Sequence, residues 1–375
     1  MKSIFINKET HELHFADISL PAIKRNEILV KTLRVGLCST ERELFEKEFD
    51  PPENCDFLIL GHEAVGEIVE VGADVSQFRK GDIVVPSVRR GCGECLFCNN
   101  GRTDMCNTGK YIERGIVKLH GFMSEYFVEQ EEHLTKIPRS LKSQAVLLEP
   151  LTVGIKAIEE YFKVQKSRLL ITPDISEEEL LRNVLIIGAG PIGLLVALVV
   201  AHHQASITCI DIDNEEGNKA DITRMIGGQY INIGKYLEDG KINLDKLRKE
   251  KTIGEFDLII DASPDPITCV RMVDLLSFNG AIVNLGLPYG NKGFLPADLF
   301  DYYITSVVLK NGVILGSVNA NRSNFDTGVK YMEEWQKKFS DVLDRIITHR
   351  FDFRDYEKAF KVESPGRIKV VLEWS

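Results

Sequence analysis

The sequence predicts an α/β chain of two domains, a doubly wound parallel sheet preceded by a compact, barrel-like domain of short strands. Three observations predict this. From Ile4 to about Gln130, short alternating runs follow one another with turns and no helical pattern between them, as in a β-barrel. From Val184 to Leu285, near-continuous apolar runs alternate with helical stretches, the pattern of a parallel sheet covered on both faces. The chain has 375 residues, enough for two domains with a core each.

In the first domain, Glu27–Thr32, Ala64–Val71 and Gly81–Pro86 each read as a strand. Pro150 suits the first turn of a helix, where its missing N–H costs nothing. Leu151, Ile155, Ile158 and Phe162 then share one helical face. A charged segment, Thr172 to Arg182, separates that helix from strands expected at Val184–Ile187, Ser206–Ile210, Leu258–Ile260 and Ala281–Leu285. After Gly312 come a strand at Val313–Val318, a helix, and a last strand at Ile368–Leu372. The uncharged stretch from Val184 to Ala201 reaches the ~18 residues of a membrane-span candidate. Gly188, Gly190, Pro191 and Gly193 interrupt it, so it reads as a strand, a tight turn and a buried helix.

With 46 Lys+Arg against 56 Asp+Glu, the net charge is −10, and 44% of residues are hydrophobic. Disorder and coiled coil are excluded by that composition. An acidic chain without a basic stripe offers no footprint for nucleic acid. The N-terminal residues are too short and alternating for a secretory leader, and the expected compartment is the cytoplasm.

Gly188-Ala189-Gly190-Pro191-Ile192-Gly193 is G-x-G-x-x-G between a strand and an apolar helix. The first glycine permits the turn, the second admits a pyrophosphate, and the third brings helix and strand together. Asp211 ends the next strand, where a carboxylate binds ribose hydroxyls, and Asp213 follows two residues later. Cys92, Cys95, Cys98 and Cys106 place four thiolates on one Gly-rich loop. That is the closed ligand set of a structural zinc site; an iron–sulfur cluster uses the same ligands. A third constellation is dispersed: Cys38 in Gly36-Leu37-Cys38-Ser39-Thr40, His62 and Glu63 after Gly61, and Glu149 before Pro150. Each alone suits a core or surface position, and spacing leaves a catalytic metal site open.

These segments, in this order, resemble the zinc-dependent medium-chain dehydrogenase/reductase family along essentially the whole chain. Within it the chain is similar to archaeal-type glucose dehydrogenases at Tyr111–Ile116, His120–Phe122, Glu149–Leu151 and Gly316–Asn321. The resemblance implies a GroES-like catalytic domain over 1–155 and 313–375, with a zinc lobe at about 90–110, and a Rossmann domain over 156–312. It implies a catalytic zinc held by Cys38, His62 and either Glu63 or Glu149, besides the structural zinc. Thr40 would take part in proton relay, Glu113 and Asn319 would lie near the sugar, and Asn319 also near the cofactor. The activity implied is oxidation of an aldose at C1 to the lactone by NAD or NADP, a polyol or secondary alcohol dehydrogenase being the alternative. A homodimer or homotetramer is implied, paired along Val313–Gly316. Two departures matter. Ser39-Thr40-Glu41 replaces the family's small-Thr-Asp, and Asp211-Ile212-Asp213 stands where several sugar dehydrogenases carry basic residues, which favours NAD.

Overall fold

In the computed structural model, the described residues are 1–169, 175–238, 241–251, 253–287, 296–339, 341–364 and 366–374. Thr172 to Asp174 of the charged segment therefore lie outside them. The chain divides into two compact units, Met1–Thr152 with Asn319–Ser375, and Val153–Val318.

The second unit is built on six parallel strands in the spatial order Gln229–Asn232, Ser206–Asp211, Asn183–Ile187, Phe256–Asp261, Leu276–Asn284 and Val313–Gly316. The order reverses beside Asn183–Ile187, the switch point at which an open α/β sheet binds nucleotides. Val184 stands opposite Ile207 on one side and Leu258 on the other, and Val184 to Ile187 are buried. Leu276–Asn284 is longer than the sequence suggests because a register shift opposite Phe256 and Leu258 absorbs extra residues. Gln229–Asn232 was not anticipated: it has four residues, two of them polar and incompletely buried. Val313–Gly316 pairs in parallel with Leu276–Asn284. The boundary expected after residue 312 therefore falls at Val318 and Asn319.

The first unit carries a seven-stranded sheet whose hub is Glu27–Leu37, which pairs with Glu63–Val71, Tyr126–Gln130 and Lys369–Glu373. This strand runs five residues beyond the expected Thr32. Two irregularities, at Leu29/Val30 and Thr32/Arg34, let it bend while keeping Ile28, Val30 and Val35 in the core. The strand Lys369–Glu373 lies between the hub strand and Ile347–Asp352, and Val370, Leu372 and the following Trp374 join the same core. Arg89–Arg90, Ile112–Arg114 and Lys118–Leu119 form a separate three-stranded sheet. Among the described residues, no helix is long and apolar enough to cross a membrane.

Candidate active site

Strand pairing assembles the dispersed constellation. Cys38 caps the helix Ser39–Glu46 just after the hub strand, and Gly36 on that strand stands opposite Glu63. His62 and Glu63 therefore arrive beside Cys38. Glu149 enters in the first turn of the helix Leu148–Arg168, which also buries Leu151, Ile155, Ile158 and Phe162. Potential ligand atoms of Cys38, Glu41 and His62 lie within 4.8 Å of one another, as do those of His62, Glu63 and Glu149. His62 is common to both groups. Thr40 Oγ1 is 3.7 Å from Cys38 Sγ.

The two carboxylates have different surroundings. Both Glu63 oxygens accept from the buried Lys369 ammonium, at 2.7 and 2.6 Å, and Lys369 also donates to the Leu37 carbonyl. Burial pushes the Lys369 pKa down, but the Glu63 carboxylate outweighs it and holds the ammonium charged. Among the described residues Glu149 forms no ion pair of this kind. Burial pushes its carboxyl up to about 7, the His62 charge opposing. A buried carboxylate whose charge is only partly offset by its neighbours is a donor that a divalent metal relieves. His62 links the two groups, but Cys38, His62 and Glu149 do not together fall within 4.8 Å among the described residues. Their donor types are those a zinc with an open position takes, and Glu63 is already paired with Lys369.

In the second cluster, sulfurs of Cys92, Cys95, Cys98 and Cys106 all lie within 4.8 Å of one another, Cys92 and Cys98 at 4.0 Å. Four thiolates at Zn–S distances of about 2.3 Å sit about 3.8 Å apart, so the donors need close by no more than about 1 Å. Hydrogen bonding from Thr108 pulls the Cys106 thiol down to about 6, and the Cys98 N–H lowers Cys95. Burial pushes Cys98 up to about 12, a cost that a shared cation removes.

Glu113 is buried in the small sheet. Its Oε1 accepts from Arg89 Nε at 2.9 Å and Asn319 Nδ2 at 2.7 Å. Asn319 achieves this in a left-handed conformation, φ 59°, which asparagine tolerates better than most residues. The sheet abuts the His62 loop: a Cβ on Gly115 would stand 2.6 Å from the Gly61 carbonyl oxygen.

In the second unit, Gly188, Gly190, Asp211, Asp213 and Lys219 line a cavity of about 570 Å3. Pro191, Ile192 and Gly193 form the first turn of the helix behind it, and neither they nor Asn319 line it. A Cβ on Gly193 would meet the Gly188 carbonyl oxygen at 1.8 Å; only glycine lets helix and strand close so tightly. Asp211 accepts from the Ala189, Ile212 and Asp213 N–H groups. Lys219 Nζ lies 3.3 Å from Asp211 and 2.7 Å from Asp213.

Residues 24–139 match the family described as alcohol dehydrogenase GroES-like domain, and residues 142–374 match glucose dehydrogenase C-terminus. The chain belongs to the zinc-dependent medium-chain dehydrogenases, in their glucose dehydrogenase branch. Glucose 1-dehydrogenase of Metallosphaera sedula is 35% identical over 100% of this chain and 99% of its own. The Methanocella arvoryzae glucose 1-dehydrogenase is 33% identical over 96% of each. A solved structure of Haloferax mediterranei glucose dehydrogenase with NADP, zinc and gluconolactone matches with a TM-score of 0.83 at 27% identity, covering 100% and 99% of the two chains.

In this dehydrogenase three contributing residues escaped the sequence reading. Lys369 lies 306 positions from Glu63, with no local signal. Arg89 sits in an ordinary Arg-Arg pair. Glu41 was visible only as a departure from pattern, although an acid three residues after a helix cap is a recognisable capping position.

Proposed function

We propose that this dehydrogenase oxidises an aldose at C1 to the lactone, with NAD preferred over NADP. The carrying observation is the Glu113 carboxylate, fixed by Arg89 and Asn319 in a sheet that abuts the His62 loop. The glucose dehydrogenase relatives support the same substrate class. Two zinc ions are proposed. Cys92, Cys95, Cys98 and Cys106 hold one as a folding staple; Cys38, His62 and Glu149 hold the other, with Glu63 in reserve beside Lys369. When bound, the catalytic zinc lowers the pKa of the hydroxyl to be oxidised, and the nicotinamide accepts the hydride.

The remaining work falls to the chain. Glu113 accepts from a sugar hydroxyl, Asn319 holds Glu113, and Thr40, beside Cys38, receives the hydroxyl proton and passes it toward solvent. Asp211, anchored by three backbone N–H groups, accepts from the ribose hydroxyls. The pyrophosphate lies against Gly188 and Gly190 at the helix N-terminus.

We also infer a homo-oligomer. Val313–Gly316 is the last strand of its sheet, with Ile314 41% exposed. The preceding helix Ala297–Leu309 exposes Phe300, Val308 and Leu309. An unpaired edge with apolar flanks is an aggregation hazard unless a two-fold mate covers it. All eight cysteines are free thiols, in keeping with a reducing cytoplasm.

The test is a panel of aldoses, polyols and simple alcohols assayed with NAD and with NADP. Aldose turnover to the lactone is expected. Turnover of polyols or secondary alcohols alone overturns the reading.

A further inference from the structure

Arg89 is largely but not fully buried, its side chain 9% exposed, and its guanidinium is engaged on three sides. Nε donates to Glu113 Oε1 at 2.9 Å, and Nη1 donates to the Asp104 carbonyl at 2.7 Å. The plane lies over the Tyr111 ring, 4.0 Å from its centroid. Asp104 belongs to the turn Thr103–Met105, immediately before Cys106 and inside the four-cysteine loop. One side chain therefore ties that loop to the carboxylate assigned to the sugar.

The hydrogen bonding on Glu113 is asymmetric. Oε1 receives both Arg89 and Asn319, whereas Oε2 has no hydrogen-bond partner among the described residues. A carboxylate that buries one oxygen on two donors presents the other as a single acceptor of fixed direction. Arg89 holds that direction because its planar fork reaches two anchors at once, which a lysine cannot do.

We propose that Arg89 is a positioning residue for sugar recognition: it references Glu113 to the four-cysteine loop, so that Oε2 alone reads one sugar hydroxyl. The proposal rests on the aldose reading above. A site built around one hydroxyl rejects the analogue lacking it strongly, so displacing Oε2 costs discrimination more than chemistry.

The experiment compares wild type with Arg89→Lys, Arg89→Met, Glu113→Gln and the Arg89→Met/Glu113→Gln double variant. Each is assayed on glucose, its epimers and its monodeoxy analogues, and melting temperature and cofactor KM are recorded. For Arg89→Met and Arg89→Lys, the sugar KM is expected to rise about tenfold or more, with kcat at saturating sugar falling less than about threefold. Discrimination against one deoxyglucose flattens and cofactor KM stays within error, while the melting temperature falls but leaves both variants folded at the assay temperature. The double variant is expected to be no worse than Glu113→Gln, since residues acting through one another are not additive. Wild-type activity on Arg89→Lys means that charge neutralisation alone matters and overturns the proposal, as do additive losses in the double variant. A wild type inactive on every aldose overturns the substrate reading itself. An active wild type with an unchanged Arg89→Met overturns the role of Arg89 alone.

Discussion

Glu41 Oε1 lies 2.7 Å from His62 Nδ1, and both side chains are almost completely buried. The other Glu41 oxygen accepts the Cys38 backbone N–H at 2.7 Å. One carboxylate thus orients two residues assigned to the catalytic metal. Burial pushes the His62 pKa down, yet Glu41 outweighs it and raises the pKa well above the ordinary value. The Nδ1 to Oε1 approach lacks hydrogen-bond geometry, so the pair is an electrostatic contact, and potential ligand atoms of Glu41, Cys38 and His62 lie within 4.8 Å of one another.

Replacing Glu41 with Gln keeps the shape and removes the charge. Zinc affinity at the catalytic site is expected to fall about 10- to 100-fold, the usual effect of losing such an outer partner. Chelator competition on the folded protein measures it, and an unchanged affinity would remove Glu41 from the site.

The two proposed metal sites separate by phenotype. Cys106→Ser is expected to lower the melting temperature sharply, because a structural zinc contributes folding free energy directly. Cys38→Ser is expected to melt near wild type and bind cofactor, with turnover reduced about 100-fold or more as charge stabilisation is lost. If both variants fold and work normally, the two-site assignment fails.

What the sequence made legible here is what depends on local backbone geometry. Cys38, His62, Glu63 and Glu149 gained a role only from the family resemblance, whereas Gly188, Gly190 and Gly193 and the four clustered cysteines announce themselves because each motif closes within a few residues. Partners supplied by distant strands do not. Lys369 reaches Glu63 only because the last strand pairs with the hub strand at Leu37. The sequence pattern ends the hub strand at Thr32, before the charged Arg34. In the fold Arg34 pairs with Glu373 and the Ser143 carbonyl, so its charge is satisfied within the strand.

Glu215 gives the second unit an acid-sensitive clamp. It accepts from Lys235 at 2.7 Å and the Asn232 N–H, and pairs with Lys251 at 3.3 Å. Burial opposes its ionisation, but those partners prevail and hold its pKa at about 2. A depressed carboxyl stabilises above its unfolded pKa of about 4.3, and the contribution disappears as pH falls toward 2. Discounted for solvent screening, it is about 1 kcal/mol. Glu215→Gln is expected to melt a few degrees below wild type at pH 7, the gap closing between pH 4.5 and 2.5. A pH-independent gap would show that the charge is not responsible.

Ile314→Glu tests the proposed pairing of edge strands. A carboxylate there meets its own copy across a two-fold axis, so the variant is expected to shift toward monomer by light scattering at micromolar concentration while keeping its melting cooperativity. A monomeric wild type would refute the pairing outright.

Cofactor choice turns on Lys219. Asp211 and Asp213 place two carboxylates at the ribose end of the cavity, and Lys219 lies against both. Arg224, the other nearby cation, is engaged with Asp221 and the Glu215 carbonyl. Two negative charges and one positive leave a local charge of −1. A 2′-phosphate brings about −1.5 to −2 more, and screened repulsion at a solvated crevice is about 1 kcal/mol. NAD is therefore expected to exceed NADP about fivefold in kcat/KM. Asp213→Asn removes one repulsive charge and releases Lys219 toward the phosphate, so it should narrow or reverse the ratio, whereas Lys219→Ala should widen it. The wild-type ratio decides: equal efficiency, or a preference for NADP, would mean that Lys219 leaves the carboxylates to meet the phosphate.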